Sequence, residues 1–539
     1  MKGRLSWKIP RLISPSSSAL PWVQLCVIIL VTFASVLSGF ALIIADTSVQ
    51  GSLVIGGEKN LWFSISFFLL IATFVPIANW CADRFGHKLI FFIGATLLLL
   101  PTFFCALTTN YWAMMFFRSL SAIGAGAVFP TSLTIIDLSF PPKLKTFAIA
   151  IYVASAFGVG TVVGIFLGGY FAEFFSWQLI YMLISAPAPI ALISIWLFFL
   201  ETEKKKHSFD FLGTLFYLIL IASLVTGLSN VKQPWNTEGF HSKLFIISAI
   251  LFLLSLYGFI WRESTTPQPL MKISLFKIRP FCLANIAIFI VASTYFTTTV
   301  SLTKIFESDF LYSKYHVALL QLPLGATLGT FGALSGILAK KIGIRLLAST
   351  GIIIVAISCF MNHKITIQSG HSQFLWFQAI RGVGIGMALG PFTALALKRI
   401  RVEDVGQAAV LITICRQFGG ALGSSIIDLI HNIRFPFHLL RFGEQMSLNS
   451  PALINHLNKV DTYLVENSGL IPAVSEETAE GFTEAASLQS LAQLHEYAAA
   501  QADILSTNDG YLLIGYAAII IFVIIAFFML RAKWKERHS

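Results

Sequence analysis

Runs of about 20 consecutive apolar residues recur along nearly the whole chain, each long enough to cross the hydrocarbon core of a bilayer. Lipid offers the backbone no hydrogen-bond partner, so a spanning segment must be a helix or part of a closed barrel. The runs are continuous and do not alternate with polar residues, which selects helices. Charge agrees. Only 12% of the 539 residues are charged, about half the roughly 25% of a soluble domain. That is too little to coat a water-facing surface of this size. The expected fold class is an all-α integral membrane protein.

The runs place spans near 22–44, 60–81, 88–108, 112–137, 145–171, 177–200, 211–229, 243–261, 280–302, 316–339, 345–362, 373–398, 404–430 and 511–530. Fourteen spans put both termini on one side, and Lys/Arg placement identifies it. Of 37 basic residues, 25 fall in segments on the N-terminal side, nine in loops on the other, and three inside spans. Basic loops mark the cytoplasm, so both termini are predicted cytoplasmic. The same bias explains the net charge of +11 without nucleic acid. The first run reads as a span and not as a cleaved signal. The six cysteines fall within apolar runs at irregular spacing and read as packing residues. Residues 431–510 form a long outer loop with ten acids and three Lys/Arg. Two parts of it, around Leu453–Val465 and Leu488–Ile504, read as amphipathic helix, suited to a solvated cap or a docking surface.

The chain also echoes itself. Pro130 precedes Phe157-Gly158 by 27 residues, and Pro391 precedes Phe418-Gly419 by 27. Arg118 and Arg381 stand upstream of the two prolines, each followed by glycines. The loop Ala82–Lys88 after span two corresponds to Ala339–Arg345 after span ten. Spans 1–6 and 9–14 therefore correspond, and spans 7–8 are an insert. The expected division is a tail (1–21), a six-helix bundle (22–200), inserted helices (201–279), a second six-helix bundle (280–530, including the outer loop) and a tail (531–539). Two such halves rocking about a shared site is a transporter architecture.

With these motifs the sequence resembles the major facilitator superfamily, and within it the fourteen-span drug/proton antiporter branch of EmrB/QacA type. The branch's loop after span two is G-x-L-A-D-R-x-G-R-K; here it is Asn79-Trp80-Cys81-Ala82-Asp83-Arg84-Phe85-Gly86-His87-Lys88. The resemblance implies a cytoplasmic gating latch of Asp83, Arg84, Gly86 and Lys88, with Asp83 accepting from helix-end N–H groups. Arg118 fits the branch's buried arginine. Span five carries Gly160, Gly164, Gly168 and Gly169 of the motif G-x-x-x-G-P-x-x-G-G, with Ile165 in place of proline. Span thirteen carries Arg416-Gln417-Phe418-Gly419-Gly420, close to R-Q-x-G-G. Phe175–Trp177, Asp210–Gly213 and Pro269–Phe281 match at the starts of spans six, seven and nine. In this branch a long outer loop accompanies a periplasmic adaptor and an outer-membrane channel, which the resemblance implies as partners.

The branch places an aspartate in span one. Counting 24 back from Trp62, or 16 forward from Trp22, reaches Ser38. No acid lies mid-span; Asp46, Asp137, Glu307 and Asp428 sit toward span ends. Lys304 and Glu307, three apart, could pair on one helix face. Ser38, Arg118, Arg381, Arg416, Gln417, Lys304 and Glu307 are therefore the candidates for a substrate and proton pathway. Charge at membrane depth costs about 2.5–3.5 kcal/mol per residue on insertion scales and calls for a function. Three arginines without a central acid favour an anionic or zwitterionic cargo. Two transport readings stay open: proton-driven efflux of small amphiphilic compounds, and carriage of a specific anionic metabolite such as a siderophore. A membrane-embedded enzyme is the reading from another class. It is disfavoured, because the eleven histidines form no metal spacing. No phosphate-binding G-x-x-x-x-G-K-[ST] loop is present, and neither cofactor nor metal is implied.

Overall fold

The computed structural model describes residues 19–201, 204, 208–231, 239–445 and 476–538. Their regular structure is helical. In chain order the long helices are α1 (Leu20–Leu53), α2 (Gly57–Phe85), α3 (His87–Leu107), α4 (Tyr111–Ser139), α5 (Pro142–Phe174), α6 (Trp177–Phe198), α7 (Phe211–Val231) and α8 (Lys243–Thr265). They continue as α9 (Arg279–Ser308), α10 (Lys314–Leu338), α11 (Ile344–Asn362), α12 (His371–Leu397), α13 (Val405–Gln445) and α14 (Glu476–His538). Among the described residues, twelve helical stretches have the length and apolarity to cross a membrane. One of these, Lys314–Asn362, comprises both α10 and α11, and α7 contains a shorter apolar stretch, Phe211–Gly227. The set is compatible with fourteen spans.

Local chemistry starts and stops the helices. Proline at the first turns of α1, α5 and α9 costs no intrahelical bond. Asn110 caps α4 by accepting from the Trp112 N–H at 2.8 Å, and Ser242 and Ser313 cap α8 and α10. The two corresponding loops turn alike: Gly86 between α2 and α3 has φ +109°, and Gly343 between α10 and α11 has φ +93°. A side chain disfavours this left-handed region, and glycine does not. The repeat extends to packing. A Cβ on Gly124 would stand 2.6 Å from the Gly94 carbonyl oxygen, and one on Gly384 would stand 3.1 Å from that of Gly351. Thus α3–α4 and α11–α12 use the same close approach.

Burial sorts the helices. In α1, α4, α9 and α12, 78% of the apolar window is buried, against 22% in α8. The inserted pair is peripheral and turns Leu253, Leu254 and Tyr257 outward. It is held by the Tyr217 hydroxyl donating to the Ala72 carbonyl at 2.8 Å and by an Arg262–Asp210 ion pair at 3.0 Å.

The outer-loop expectation is revised. Helices α13 and α14, of 41 and 63 residues, run about 60 and 95 Å at 1.5 Å per residue. Both outlast a core of about 30 Å. Much of 431–510 is thus continuation of these two helices. Polar contacts join the overhangs: His431 hydrogen-bonds Asp503, Arg434 Nε pairs with Asp509 Oδ2 at 2.5 Å, and His438 Nε2 hydrogen-bonds Asp509 Oδ2 at 2.9 Å. Outside lipid a helix needs no apolar run, so hydropathy did not show the extension. The Leu488–Ile504 segment is helical within α14; Leu453–Val465 lies outside the described residues.

Candidate functional site

The three intramembrane arginines are among the largest fully buried side chains, and their surroundings differ. Arg118 on α4 reaches α1. Its Nη1 donates to Ser38 Oγ at 2.7 Å, and both Nη atoms approach the Ser38 carbonyl oxygen at 3.3–3.4 Å. The guanidinium lies 4.0 Å from the centre of the Phe67 ring. Folding thus brings together two residues that the sequence singled out separately. Arg381 on α12 donates through Nη1 to Gln378 Oε1 at 2.6 Å and faces the Tyr511 ring at 5.9 Å. Arg416 on α13 makes no well-formed hydrogen bond through any of its three guanidinium nitrogens, and the Tyr152 hydroxyl is the polar group that interacts with it. The guanidinium rests against Phe157 at 4.2 Å and Phe129 at 5.2 Å, with Tyr152 and Tyr295 nearby.

Between the bundles lies a small cavity. Ser35, Gly39 and Phe40 of α1, Phe67 and Phe68 of α2, Phe129, Phe157, Phe296 of α9 and Gln417 line it. Phe296 stacks on Phe40 at 5.4 Å and meets Phe68 edge-on at 5.3 Å, closing the two halves over it. Of the sequence candidates, Gln417 reaches the cavity wall, Arg416 lies against two of its rings, and Ser38 holds Arg118.

Helix α5 forms the seam with α10 and departs from α-geometry where it does so. Residues Ala154–Val159 form a π-helical turn, a distortion frequent at functional sites. In this turn the Phe157 carbonyl accepts from Thr161 Oγ1 and the Gly160 N–H, and also from the Tyr295 hydroxyl at 3.2 Å across the bundle interface. The glycine motif follows. Gly160, Gly164 and Gly168 face α1, where a Cβ would stand 3.3 Å from Val36, 3.1 Å from the Leu37 oxygen and 2.8 Å from the Ala41 oxygen. Gly169 faces α10, 2.6 Å from the Lys314 oxygen on the same measure.

The motif after α2 packs against the end of α6. Lys88 donates through Nζ to the Trp196 carbonyl at 2.8 Å, and its main-chain N–H donates to Glu201 Oε1 at 3.2 Å. Arg84 lies over the Trp80 ring at 5.6 Å. Asp83 is buried beside Asn79, whose amide nitrogen is 3.5 Å from Asp83 Oδ2. Glu201 thus serves a helix-start N–H. Asn79, where the branch has glycine, faces Gly406 of α13, which leaves room for its side chain.

Lys304 and Glu307 do not pair. Lys304 is exposed and acts on Asp309 and Asp503, whereas Glu307 turns inward toward Lys314, Asp46 and Glu173. Spacing of three permits a helix pair, but tertiary neighbours draw the side chains apart. Lys314 of α10 donates its main-chain N–H to Glu173 of α5 at 3.1 Å and its Nζ to Ser48 of α1, tying the bundles at this end. Sequence reading missed Lys314 and Glu173, because only folding brings α1, α5, α9 and α10 together. Just beyond α9, burial and the adjacent Asp503 carboxylate push the Asp309 carboxyl up to about 8.

Paired helical bundles about a central cavity are an architecture of membrane transporters. The Major Facilitator Superfamily profile matches residues 24–424, so the chain belongs to that family. It is 25% identical over 450 residues to the multidrug export protein EmrB of Escherichia coli (82% of this chain, 87% of that protein). It is 26% identical over 441 residues to the fatty acid resistance protein FarB of Neisseria gonorrhoeae (81% and 85%). Among solved structures it superposes on the proton:xylose symporter XylE with a TM-score of 0.57 at 12% identity, covering 95% and 96% of the chains. That likeness concerns the fold.

Proposed function

We propose that the protein is a proton-driven exporter of small amphiphilic compounds in the bacterial inner membrane, with both termini cytoplasmic. The observation that carries this reading is the aromatic cavity between two bundles, flanked by buried arginines. Similarity to export proteins supports the direction. The rocking bodies are 22–200 and 280–530, and 201–279 is a peripheral insert. Ser38, Arg118, Arg381, Arg416 and Gln417 contact or position the substrate. Glu307, with an unpartnered buried carboxylate oxygen, takes up the coupling proton, and Lys304 lies at its approach. Asp83, Arg84, Gly86 and Lys88 gate the cytoplasmic side; Gly160, Gly164, Gly168 and Gly169 form the sliding seam. The overhangs of α13 and α14 supply a surface for a periplasmic adaptor and outer-membrane channel. The second reading, carriage of one anionic metabolite, is favoured by the buried arginines alone. Transport into reconstituted vesicles under an imposed pH gradient, screened over cationic dyes and organic anions, tests both. Gradient-dependent movement of several compounds supports efflux; movement of one anion alone supports the second reading; gradient-independent movement contradicts proton coupling.

A further inference from the structure

We infer that Arg416 is the receptor for the charged head of the transported compound, and that the substrates are amphiphiles bearing a single oxyanion, such as a carboxylate, beside an apolar body. This deepens the transport reading and rests on it. The three arginines are not equivalent. Arg118 is held by Ser38 and leaves only Nε unpaired, and Arg381 bonds Gln378 through Nη1 and leaves Nε and Nη2 unpaired, away from the cavity rings that Arg416 touches. Arg416 is 1% exposed, and none of Nε, Nη1 and Nη2 makes a well-formed hydrogen bond, the Tyr152 hydroxyl being the polar group that interacts with it. Among the described residues no carboxylate pairs with it. A buried charge left in this condition is costly, and two aromatic faces offset only part of that cost.

The covering rings and the arginine belong to different bundles. Phe129 on α4 and Phe157 on α5 come from the first, and Arg416 comes from the second. Both rings also line the cavity. Rocking the bundles apart therefore withdraws the aromatic cover and opens the guanidinium to whatever fills the cavity. A planar fork of N–H donors matches a carboxylate bidentately, which a compact ammonium does not do. The buried Tyr152 hydroxyl, which interacts with this guanidinium, supplies a further donor to a bound oxyanion. The rings of Phe40, Phe67, Phe68 and Phe296 then take the apolar body. Two features thus act together: one unpaired cationic fork and an aromatic chamber next to it.

The test is equilibrium binding of radiolabelled octanoate to the purified full-length protein in detergent, competed by unlabelled octanoate, octylammonium and octanol. These share a chain length and differ in head group. The expected result is that octanoate competes about tenfold or more better than octylammonium, as a charge-assisted hydrogen bond allows. Arg416→Gln is expected to lose octanoate binding by a similar factor, Arg416→Lys to fall between, and Arg381→Gln to change it less. Octylammonium competing as well as octanoate on the wild-type protein, or full octanoate binding by a folded Arg416→Gln, overturns the inference. The wild-type competition needs no variant, so poor folding of a mutant does not spoil the test. No proton gradient is present, so a failure of proton coupling appears in vesicles and not here.

Discussion

Ser38 stands where related antiporters place an acid in span one, and it meets Arg118 through a hydroxyl instead of a carboxylate. The geometry is kept while the charge is not. A hydrogen bond to a charged group contributes about 1.5–3 kcal/mol. The Ser38 carbonyl and the Phe67 ring stay in place when the hydroxyl goes. Ser38→Ala is therefore expected to lower the melting temperature of the purified protein by a few degrees and leave it folded. Arg118→Ala is expected to abolish transport while membrane insertion, read by fractionation, is unchanged; wild-type transport would remove Arg118 from the pathway. Ser38 and Arg118 were each legible as candidates in the sequence, Ser38 by its spacing from Trp22 and Trp62, but their pairing was not. Nor were the surroundings of Arg416. Its environment comes from Phe129, Phe157 and Tyr152, which are more than 250 residues away in sequence. A motif names a residue but not the state of its hydrogen bonds.

At the scale of elements, the glycine motif of α5 was legible as a packing stripe, and its division between α1 and α10 was not. Without the proline of the antiporter motif, the π-helical turn at Ala154–Val159 supplies the departure from straight helix. No sequence pattern distinguishes six π-helical residues from the α-helix around them. The stripe makes a sharp expectation. A Cβ at Gly168 would lie 2.8 Å from the Ala41 carbonyl oxygen, which is backbone and yields little. Gly168→Ala is expected to cost about 1–3 kcal/mol by overpacking, read as a lower melting temperature. Gly51→Ala, with nothing within 4 Å, is the control and should leave it unchanged or raise it. The contact of α9 with α14 carries a pH dependence. The Asp309 carboxyl is raised to about 8 from its ordinary 3.8, by burial first and by Asp503 second. The folded state then binds the proton more tightly than the unfolded one. Stability falls as pH rises from about 4 to about 8 and levels off above. Asp309→Asn is expected to flatten that fall, so its melting temperature exceeds wild type at pH 8.5 more than at pH 5.5. An equal difference at both values contradicts it.

On the scale of the whole molecule, the all-helical, multi-span fold was legible because membrane depth forces long apolar runs. Gly86 and Gly343 turn the corresponding loops with the same backbone sign. What hydropathy did not show is the reach of α13 and α14 past the bundle, held by Arg434, His431 and His438 on Asp503 and Asp509. The bundles meet along α5 and α10 from Gly169 beside Lys314, through Gly158 beside Gly329, to Gly336 beside Ala150. A seam of small residues along its whole length suits two bodies that pivot against each other. The central claim is that this pivoting exchanges protons for an amphiphilic compound. The most direct measurement is lumenal pH in dye-loaded proteoliposomes when a gradient of a transported compound is imposed without any pH gradient. The account predicts proton flow opposite to the compound, in wild-type vesicles and not in Arg118→Ala vesicles. Movement of the compound with no change in lumenal pH would contradict it.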